Sequence, residues 1–363
     1  MRVDWVSLVN FRSYPQLEWS PDTGVNLLVG PNGAGKTNLL ESLGYLATLK
    51  SFRSVPDEGM IADDADSAVI RAGLTGEDRE RLIEIEILRE GPRRTQVDKT
   101  RLRRTADLLG VVRVVAFLPE DLDLIKRGPA YRRDLLDDIA IQLWPAAHLD
   151  QSEYERSLRQ RNAFLKQGQP DEATLSVWDS RLAQAGGRVL ARRARVIETL
   201  SPRLDEAYKE IAHAETNATF TYTPTWPGSL DPSPAADFGV RLAEALERSR
   251  RVDYERRMTT VGPHRDEPGF SIDGYEARTH GSQGEQRTVA LAVKLAAHRA
   301  VASTVGESPI LLLDDVFSEL DSERAKALAD AIPERTQTMI TSARPEDVPM
   351  SGTVWQVGDG VSR

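Results

Sequence analysis

Residues 25–37, VNLLVGPNGAGKT, join a continuous apolar run to a glycine-rich loop of the form GxxxxGK[ST]. The segment that follows, TNLLESLGYLATL, has the apolar spacing of a helix, so the stretch predicts the order strand, loop, helix. Backbone N–H groups in such a loop face phosphates, and the helix that starts there adds its dipole. The predicted nucleotide-binding residues are Gly30, Pro31, Asn32, Gly33, Ala34, Gly35, Lys36 and Thr37.

Two of these residues have side chains with specific expected roles. Lys36 is expected to reach the β- and γ-phosphates and to take part in catalysis, and Thr37 is expected to bind Mg²⁺. A glycine-rich turn without a ligand does not account for a lysine and a threonine directly after the third glycine. The pattern therefore indicates a bound nucleotide with Mg²⁺.

The second candidate part of the site is the carboxylate pair in ILLLDDVF (310–317). Four apolar residues predict a buried strand whose carboxyl end presents Asp314 beside the phosphate loop, where it can bind Mg²⁺ directly or through water. Neighbouring side chains on a strand point in opposite directions. Asp315 is therefore interpreted as the residue that orients or deprotonates the attacking water. The alternative is that Asp315 only caps the next segment.

Two short motifs decide the class of nucleotide protein. SQGEQ (282–286) precedes an apolar helix, and SELD (318–321) follows the carboxylate pair. A serine and a glycine at a helix N-terminus form an anion site. In this order with the phosphate loop, the motifs resemble the signature and the D-loop of ATP-binding-cassette ATPases. The resemblance implies ATP hydrolysis in a dimer interface, where the signature of one copy covers the γ-phosphate bound by the other. The residues expected to act in trans are Ser282, Gln283, Gly284 and Glu285.

Continuous apolar runs indicate a parallel sheet that is buried on both faces. Residues 120–215 are mainly helical in pattern, and prolines are expected to divide them into short helices. The apolar runs are 25–29, 111–118, 309–313 and 336–341. The prolines are Pro129, Pro145, Pro170 and Pro202.

The predicted fold class is α/β, a P-loop cassette-type ATPase head with a mixed sheet plus a second lobe that is mainly helical with a few strands. Residues 1–119 and 302–363 are expected to form the ATPase lobe, which carries the phosphate loop, the carboxylate strand and the D-loop. Residues 120–301 are expected to form the second lobe, which carries the signature.

Composition excludes several classes of protein. The 363 residues include no cysteine, which excludes disulfides, zinc–thiolate sites and thiol catalysis and favours a reducing compartment. The N-terminus lacks the pattern of a secretory signal, and no apolar run approaches the roughly 20 residues that cross a bilayer. We therefore expect a cytoplasmic protein without a membrane partner.

Charge is distributed unevenly along the chain. The net charge of −9 argues against a wholly basic nucleic-acid binder, yet several clusters are rich in arginine. Each cluster has two interpretations, a solvated surface or part of a basic face for DNA. The clusters are GPRR (91–94) followed by KTRLRR (99–104), RVLARRARV (188–196) and RSRRVDYERR (248–257).

A wider resemblance extends over nearly the whole chain. Together with the ATPase motifs, four further segments resemble the RecF family of bacterial DNA replication and repair proteins. These segments are LVNFRSY (8–14), FLPEDLDLIKRGPAYRRDLLD (117–137), YERSLRQRNAFLK (154–166) and TTVGPHRDE (259–267).

The RecF resemblance implies an ATP-dependent DNA-binding recombination mediator with weak, DNA-stimulated ATPase activity. The implied DNA is a gapped duplex or a single-strand/double-strand junction. ATP would drive formation of a homodimer, which slow hydrolysis would release. RecR is the implied partner, with RecO and RecA acting downstream. By resemblance to related head domains, Arg12 and Asn32 are expected near the γ-phosphate.

Two departures from the cassette pattern favour a switch over a motor. Glu120 in FLPED stands where the class usually has a glutamine, and ITSAR (340–344) offers no histidine after the last strand. His264 in GPHRDE is interpreted as structural rather than catalytic. Two other functions remain open at this point. One is a cytosolic cassette ATPase without a DNA role, and the other is a P-loop kinase of a small molecule, against which the signature and the D-loop argue.

Overall fold

The computed structural model describes residues 1–53, 55–76, 79–167, 171–358 and 360–363, and the chain divides into two compact α/β units. The first unit consists of Met1–Asp121, Ala207–Ala214 and Leu291–Arg363. The second unit consists of Leu122–Glu206 and Glu215–Ala290.

Strands and helices alternate at both ends of the chain, and helices predominate in the middle. The strands are β1 (Arg2–Phe11), β2 (Tyr14–Trp19), β3 (Val25–Val29), β4 (Ser67–Thr75), β5 (Glu80–Leu88), β6 (Arg94–Val97), β7 (Thr100–Arg101), β8 (Val114–Phe117), β9 (Ala218–Thr223), β10 (Glu267–Ile272), β11 (Tyr275–Glu276), β12 (Ile310–Asp314), β13 (Thr338–Ser342), β14 (Thr353–Val357) and β15 (Val361–Ser362). The helices are α1 (Lys36–Thr48), α2 (Asp123–Lys126), α3 (Pro129–Leu143), α4 (Ala147–Leu165), α5 (Glu172–Ala212), α6 (Ala235–Arg256), α7 (Ala277–His280), α8 (Gln283–Val305) and α9 (Ser322–Ala331). None of the described helices has both the length and the apolar character needed to span a bilayer.

A mostly parallel sheet lies at the centre of the first unit, and in the described residues its order is β15–β14–β3–β13–β12–β8. Only β15 pairs antiparallel within it. Every residue of β12 and β13 is buried, which explains why their sequences are continuously apolar or small rather than alternating. The predicted parallel core is therefore confirmed, with the run 111–118 forming a strand only at β8. Strand β14 was not predicted. It lies between β3 and the two-residue strand β15, but only Trp355 and Val357 of its five residues are buried, so its pattern resembles a loop.

A second sheet in the first unit is antiparallel and has the order β2–β1–β4–β5–β6–β7. Its strands alternate between a buried and an outward face, as in β5, where Ile83, Ile85 and Ile87 are fully buried. The outward residues of β5 are charged: Glu84 lies opposite Arg71 of β4, and Glu86 lies opposite Arg94 of β6. The mixed sheet predicted for the ATPase lobe is therefore found as two sheets, one mostly parallel and one antiparallel.

The predicted second lobe, 120–301, differs from the observed second unit by two residues at its start and at two further places. The last turns of α5 and most of α8 belong to the first unit. The reason lies in their side chains: Lys294 of α8 pairs with Asp121 at 2.8 Å, and Arg299 donates to Glu210, near the end of α5, at 3.1 Å. Apolar periodicity marks these helices but does not indicate which core they join.

The second unit packs its helices against a small antiparallel sheet of order β11–β10–β9. α5 and α6 approach closely at Gly187, where an added Cβ would lie 2.4 Å from the carbonyl oxygen of Ala235. A fully buried guanidinium ties three helices together. Arg161 of α4 donates to Asp179 of α5 at 2.7 Å and pairs with Asp253 of α6 at 2.8 Å. Because removing one partner of a buried ion pair is costly, this cluster fixes the helix arrangement.

The predicted division of the middle region by prolines was wrong at Pro202. Pro129 begins α3 and Pro145 separates α3 from α4, as expected, and Pro170 lies outside the described residues. Pro202, however, lies inside the 41-residue helix α5. An interior proline costs about 3 kcal/mol. Fully buried neighbours, including Leu200 and Leu204, offset that cost because each buried leucine stabilises the helix by about 1.5–3 kcal/mol.

Candidate nucleotide site

The shape of the phosphate loop depends on its glycines. Gly33 and Gly35 have φ angles of 86° and 99°, in the left-handed region that favours glycine. At Gly30, an added Cβ would lie 2.4 Å from the carbonyl oxygen of Val357. α1 begins at Lys36 without a side-chain cap and without an acidic residue in its first turn. Its first N–H groups are therefore available to an anion.

Lys36 folds back over the loop. Its Nζ donates to the carbonyl oxygens of Gly30 at 2.6 Å and Pro31 at 3.0 Å. Burial lowers the pKa of Lys36, while the carboxylates of Asp315 and Asp314 act in the opposite direction. Phosphate oxygens would be stronger acceptors than these carbonyls, so the ammonium group is positioned to exchange one set of partners for the other.

Thr37 and Asp314 meet at the carboxyl end of β12. The Oγ1 atom of Thr37 donates to Oδ1 of Asp314 at 2.9 Å, and Thr341 of β13 donates to the same oxygen at 2.7 Å. Burial raises the pKa of Asp314, and these two hydrogen bonds oppose the rise. Mg²⁺ usually takes one or two protein oxygens and completes its shell with water and phosphate. A hydroxyl and a carboxylate at this distance fit that requirement.

Asp315 has a conformation unlike that of its neighbour. Its φ angle is 51°, in the left-handed region, which costs a non-glycine residue about 1–3 kcal/mol and is common at functional sites. Its backbone N–H donates to Oγ1 of Thr341 at 2.9 Å, and its side chain is exposed. The short 3₁₀ helix Phe317–Glu319 has Val316 as its N-cap, without a side-chain cap. The alternative that Asp315 caps this segment is therefore wrong.

These groups surround one cavity of about 450 Å³. Arg53, which was not predicted from the sequence, is among its lining residues. Arg53 donates to Oδ1 of Asn38 at 3.0 Å, and Asn38 donates to Ser13 at 2.9 Å, so the arginine is held on the rim by side chains of the loop helix and the β1–β2 turn. No local motif marks a lone arginine after a helix. The lining residues are Asn32, Gly33, Gly35, Lys36, Thr37, Asn38, Arg53, Asp314, Asp315, Thr341 and Ala343.

Arg12, expected near the γ-phosphate, pairs with a buried carboxylate. It is not among the residues that line the cavity in the described part of the chain. Its Nε and Nη2 atoms donate to the fully buried carboxylate of Glu41 at 2.8 and 2.7 Å, and Nη1 donates to the carbonyl oxygen of Gly59 at 2.6 Å. Ser51 donates a further hydrogen bond to Glu41. This geometry gives Arg12 a structural role, and its contact with the γ-phosphate stays a prediction.

We expect Arg12→Ala to destabilise the protein by about 3–5 kcal/mol, because it leaves the buried Glu41 carboxylate without its cation. Chemical denaturation measures this loss. The double variant Arg12→Ala/Glu41→Gln removes both charges and should recover most of the stability. If the double variant were as unstable as Arg12→Ala, the buried pair would not be the cause. The affinity of the recovered double variant for ATP then reports whether Arg12 also contacts nucleotide.

The signature residues lie in the second unit, at the start of α8. Ser282 Oγ accepts from the backbone N–H of Glu285 at 3.3 Å, and the Glu285 carboxylate accepts from the backbone N–H of Ser282 at 2.8 Å. This reciprocal pair is a capping box. Ser282 and Gln283 are exposed, and Gly284 is half-buried. The motif therefore has a structural use within one chain, and its action in trans requires a separate test.

Gln286 fixes the backbone before the signature. Its Nε2 atom lies 3.1 Å from each of three carbonyl oxygens, those of Ala277, Arg278 and Gly281. The amide thus ties α7 to the first turn of α8 within the second unit. Gln286 is the last residue of the SQGEQ motif, and its position in the sequence does not predict that it holds this loop.

Two further residues interpreted from the sequence, Glu120 and His264, can be placed in the structure. Glu120 is exposed in a short 3₁₀ segment directly after β8. Nε2 of His264 donates to the carbonyl oxygen of Thr259 at 3.2 Å, so its Nδ1 accepts from the hydroxyl of Tyr154 at 2.6 Å. Burial lowers the pKa of His264 to about 4. A neutral imidazole with a hydrogen bond at each ring nitrogen agrees with the interpretation of His264 as structural.

The fold and this site define a P-loop ATPase head of the cassette type. Residues 2–358 match the family described as "RecF/RecN/SMC N terminal domain". The "DNA replication and repair protein RecF" of Streptomyces avermitilis is 39% identical over an alignment of 371 residues. The alignment covers 99% of this chain and 99% of that protein. The protein of the same name from Kineococcus radiotolerans is 38% identical and covers 96% of this chain and 94% of its own length. The chain belongs to the RecF family.

Solved structures agree with this assignment. A structure described as "the recombination mediator protein RecF-ATP in RecFOR pathway" has a TM-score of 0.90 at 31% identity, covering 99% of this chain and 98% of that one. An Smc head bound to the C-winged helix domain of ScpA has a TM-score of 0.56 at 16% identity, covering 98% of this chain and 94% of that one. The second likeness concerns the fold alone. Membership of this family implies ATPase activity.

Proposed function

We propose that this protein is an ATP-dependent DNA-binding recombination mediator of the RecF type. It dimerises on ATP at gapped DNA or single-strand/double-strand junctions and helps to load RecA together with RecO and RecR. Slow ATP hydrolysis, which DNA stimulates, releases the dimer. The observation that carries the nucleotide part is the cavity that brings Lys36, Thr37, Asp314 and Asp315 together.

Within one chain, the cavity supplies the groups for in-line attack by water. The loop N–H groups and Lys36 bind and orient the phosphates. Asp315, exposed and without a recorded side-chain hydrogen bond in the described structure, orients the attacking water or takes its proton. Thr37 and Asp314 would hold Mg²⁺, which when bound would supply charge neutralisation at the phosphates.

A second copy of the chain is proposed to complete the site. Ser282 and the backbone of Gly284 are exposed or half-exposed at a helix N-terminus, where an anion binds favourably. In the proposed dimer, these groups contact the γ-phosphate held by the partner. The arrangement makes ATP a link between two copies, and its hydrolysis breaks that link.

Two departures from the cassette pattern support a switch over a motor. Glu120 replaces the usual glutamine, and the residues after β13, Ala343 and Arg344, include no histidine. Cytoplasmic location and partnership with RecR, RecO and RecA are proposed from family membership. A likeness to a structure described as a "recombination mediator protein" in the "RecFOR pathway" supports that part of the proposal.

We expect Asp315→Asn to lower the ATP hydrolysis rate by about 100-fold or more while leaving ATP affinity unchanged, because it removes the base but no phosphate contact. The variant should accumulate as an ATP-bound dimer, which sedimentation detects. Asp330→Asn, which changes an exposed carboxylate on α9, is the matched control and should hydrolyse ATP normally. Unchanged turnover in Asp315→Asn would remove Asp315 from the mechanism.

The DNA part is tested by salt titration of binding to a gapped duplex, with and without ATP and Mg²⁺. We expect affinity to rise with ATP and to fall steeply with salt, because phosphate contacts release counterions. Affinity that depends on neither ATP nor salt would favour a cassette ATPase without a DNA role.

A further inference from the structure

Most arginines in the two clusters of the second unit are engaged by neighbouring groups. Within the described residues, the exceptions are Arg256 and Arg257 at the end of α6, which form no ion pair. In the cluster 188–196, Arg188 and Arg192 both pair with Asp150, at 2.9 and 3.1 Å. Arg193 pairs with the nearly buried Asp137 at 2.7 Å, and the guanidinium of Arg195 lies 4.5 Å from the centre of the Trp144 ring. This cluster therefore holds the helices of its own unit together.

The cluster on α6 is interleaved with acidic residues. Arg248 pairs with Glu244 at 3.2 Å, and Arg250 pairs with Asp179 at 2.8 Å. From residue 241 to 257, six arginines stand against four acidic residues, a net charge of +2. Such alternation is typical of a solvated helix face.

The remaining cluster lies on the edge hairpin β6–β7 of the first unit. Its two-residue turn, Asp98–Lys99, has φ angles of 51° and 65°, the signs of a type I′ turn. Arg101 lies opposite Gln96. Continuing this register by two residues places Arg103 opposite Arg94, in agreement with the hydrogen bond from Leu102 N to Thr95 O at 2.9 Å. Arg94, Arg101 and Arg103 therefore share the outward face of the sheet.

The charge on this hairpin is neutralised only in part, since Arg94 pairs with Glu86 at 3.0 Å but three other cations have no such partner in the described residues. From residue 94 to 107 there are five cations and two anions, a net charge of +3 on a chain of net charge −9. The two anions are engaged, Asp98 with Arg81 at 2.8 Å and Asp107 with Arg104 at 3.1 Å. Within the described residues, the exposed side chains of Lys99, Arg101 and Arg103 have no recorded ion pair or hydrogen bond.

We propose that Lys99, Arg101 and Arg103 form a docking surface for the phosphate backbone of DNA. Guanidinium forks match phosphate oxygens, and adjacent outward positions on paired strands let several forks contact one backbone. The surface carries no base-reading group, so it positions DNA without reading its sequence. This inference rests on the proposed DNA function and assigns that function to particular residues. Cations on an edge strand also prevent sheets from pairing, which is a different use of the same charges.

The test compares two triple variants with the wild-type chain. Lys99→Gln/Arg101→Gln/Arg103→Gln removes the hairpin charges. Arg251→Gln/Arg256→Gln/Arg257→Gln, on exposed residues at the end of α6, removes three charges elsewhere and is the matched control. Each is titrated with a labelled gapped duplex over a range of salt concentrations in the presence of ATP and Mg²⁺, and ATP affinity and oligomeric state are measured alongside.

We expect the hairpin variant to bind DNA at least about tenfold more weakly at low salt, with the slope of log affinity against log salt reduced by about 2–3, since each duplex phosphate contact contributes about 0.9. ATP affinity and oligomeric state should stay at wild-type values, and Arg101→Lys/Arg103→Lys should retain most of the slope. Equal losses in the hairpin and control variants would show a net-charge effect and overturn the surface. If the hairpin variant kept the wild-type salt slope but aggregated, the DNA surface would be overturned, and the charges would instead serve to keep the edge strand from pairing with other sheets. If the wild-type chain itself failed to bind DNA, the proposed function would fail instead.

Discussion

Lys36→Met is expected to weaken ATP binding by at least about 100-fold, which is a loss of ~3 kcal/mol of binding free energy. A loss of this size is in the range found when one partner of a buried charge pair is truncated. The physical reason is the position of the ammonium group. Its Nζ lies 2.6 Å from the carbonyl oxygen of Gly30, inside the loop that receives the phosphates. Methionine has a similar length but no hydrogen-bond donor, so the packing of the loop is retained and its positive charge is lost. A fluorescent ATP analogue titrated in Mg²⁺ measures the change.

Lys326→Met is the matched control for that experiment. Lys326 is exposed on α9, so its substitution makes the same chemical change on the surface. It should bind ATP within about twofold of the wild-type chain, as surface substitutions usually change free energies by less than 0.5 kcal/mol. Wild-type affinity in Lys36→Met, with the fold intact by circular dichroism, would mean that the loop does not hold the nucleotide.

Ser282→Asp is expected to leave ATP binding intact and to abolish ATP-dependent dimerisation. Aspartate is as good an N-cap as serine, so the hydrogen bond to the N–H of Glu285 is retained and α8 stays stable. Its negative charge, however, would face the γ-phosphate held by the partner, and like charges at an interface cost several kcal/mol. Sedimentation with ATP and Mg²⁺ measures the dimer. Ser282→Arg should also block the dimer, but it additionally removes the cap.

Glu285→Ala separates the capping role from the trans role. It breaks the reciprocal hydrogen bond to the N–H of Ser282 and should lower stability by about 1 kcal/mol. It adds no charge, so ATP-dependent dimers should still form. Dimers in Ser282→Asp would restrict the motif to its capping role. Loss of dimers in both variants would implicate the start of α8 as a whole.

The parallel sheet could be predicted because burial on both faces leaves a simple pattern. β12 reads ILLLD, and every residue is buried, so the strand and the carboxylate at its end were both identifiable. The same reasoning predicted that Asp314 lies next to the helix that follows the phosphate loop. In the structure, Asp314 accepts a hydrogen bond from Thr37 of that helix. Strand β14 was not predicted because only two of its five side chains, Trp355 and Val357, are buried.

Other features depend on tertiary contacts that no local pattern records. Pro202 continues inside α5 because buried leucines around it outweigh the local cost. Arg53 reaches the cavity through the turn that follows α1, where Leu49 adopts a left-handed conformation with φ of 56°. Arg12 was expected at the phosphate, and no local pattern indicated that it also pairs with the buried carboxylate of Glu41. Which arginines are neutralised by carboxylates likewise depends on the folded chain.

Mixing Lys36→Met with Ser282→Asp tests most directly whether two copies share each nucleotide site. In a symmetric dimer with sites completed in trans, the mixed dimer has one site with both defects and one site with wild-type Lys36 and wild-type Ser282. We therefore predict that neither variant alone sediments as an ATP-dependent dimer, whereas the mixture does so and binds about one ATP per dimer. If each chain completed its own site, every site in the mixture would carry a defect. A mixture that stays monomeric and inactive, with each variant folded, would contradict the shared site.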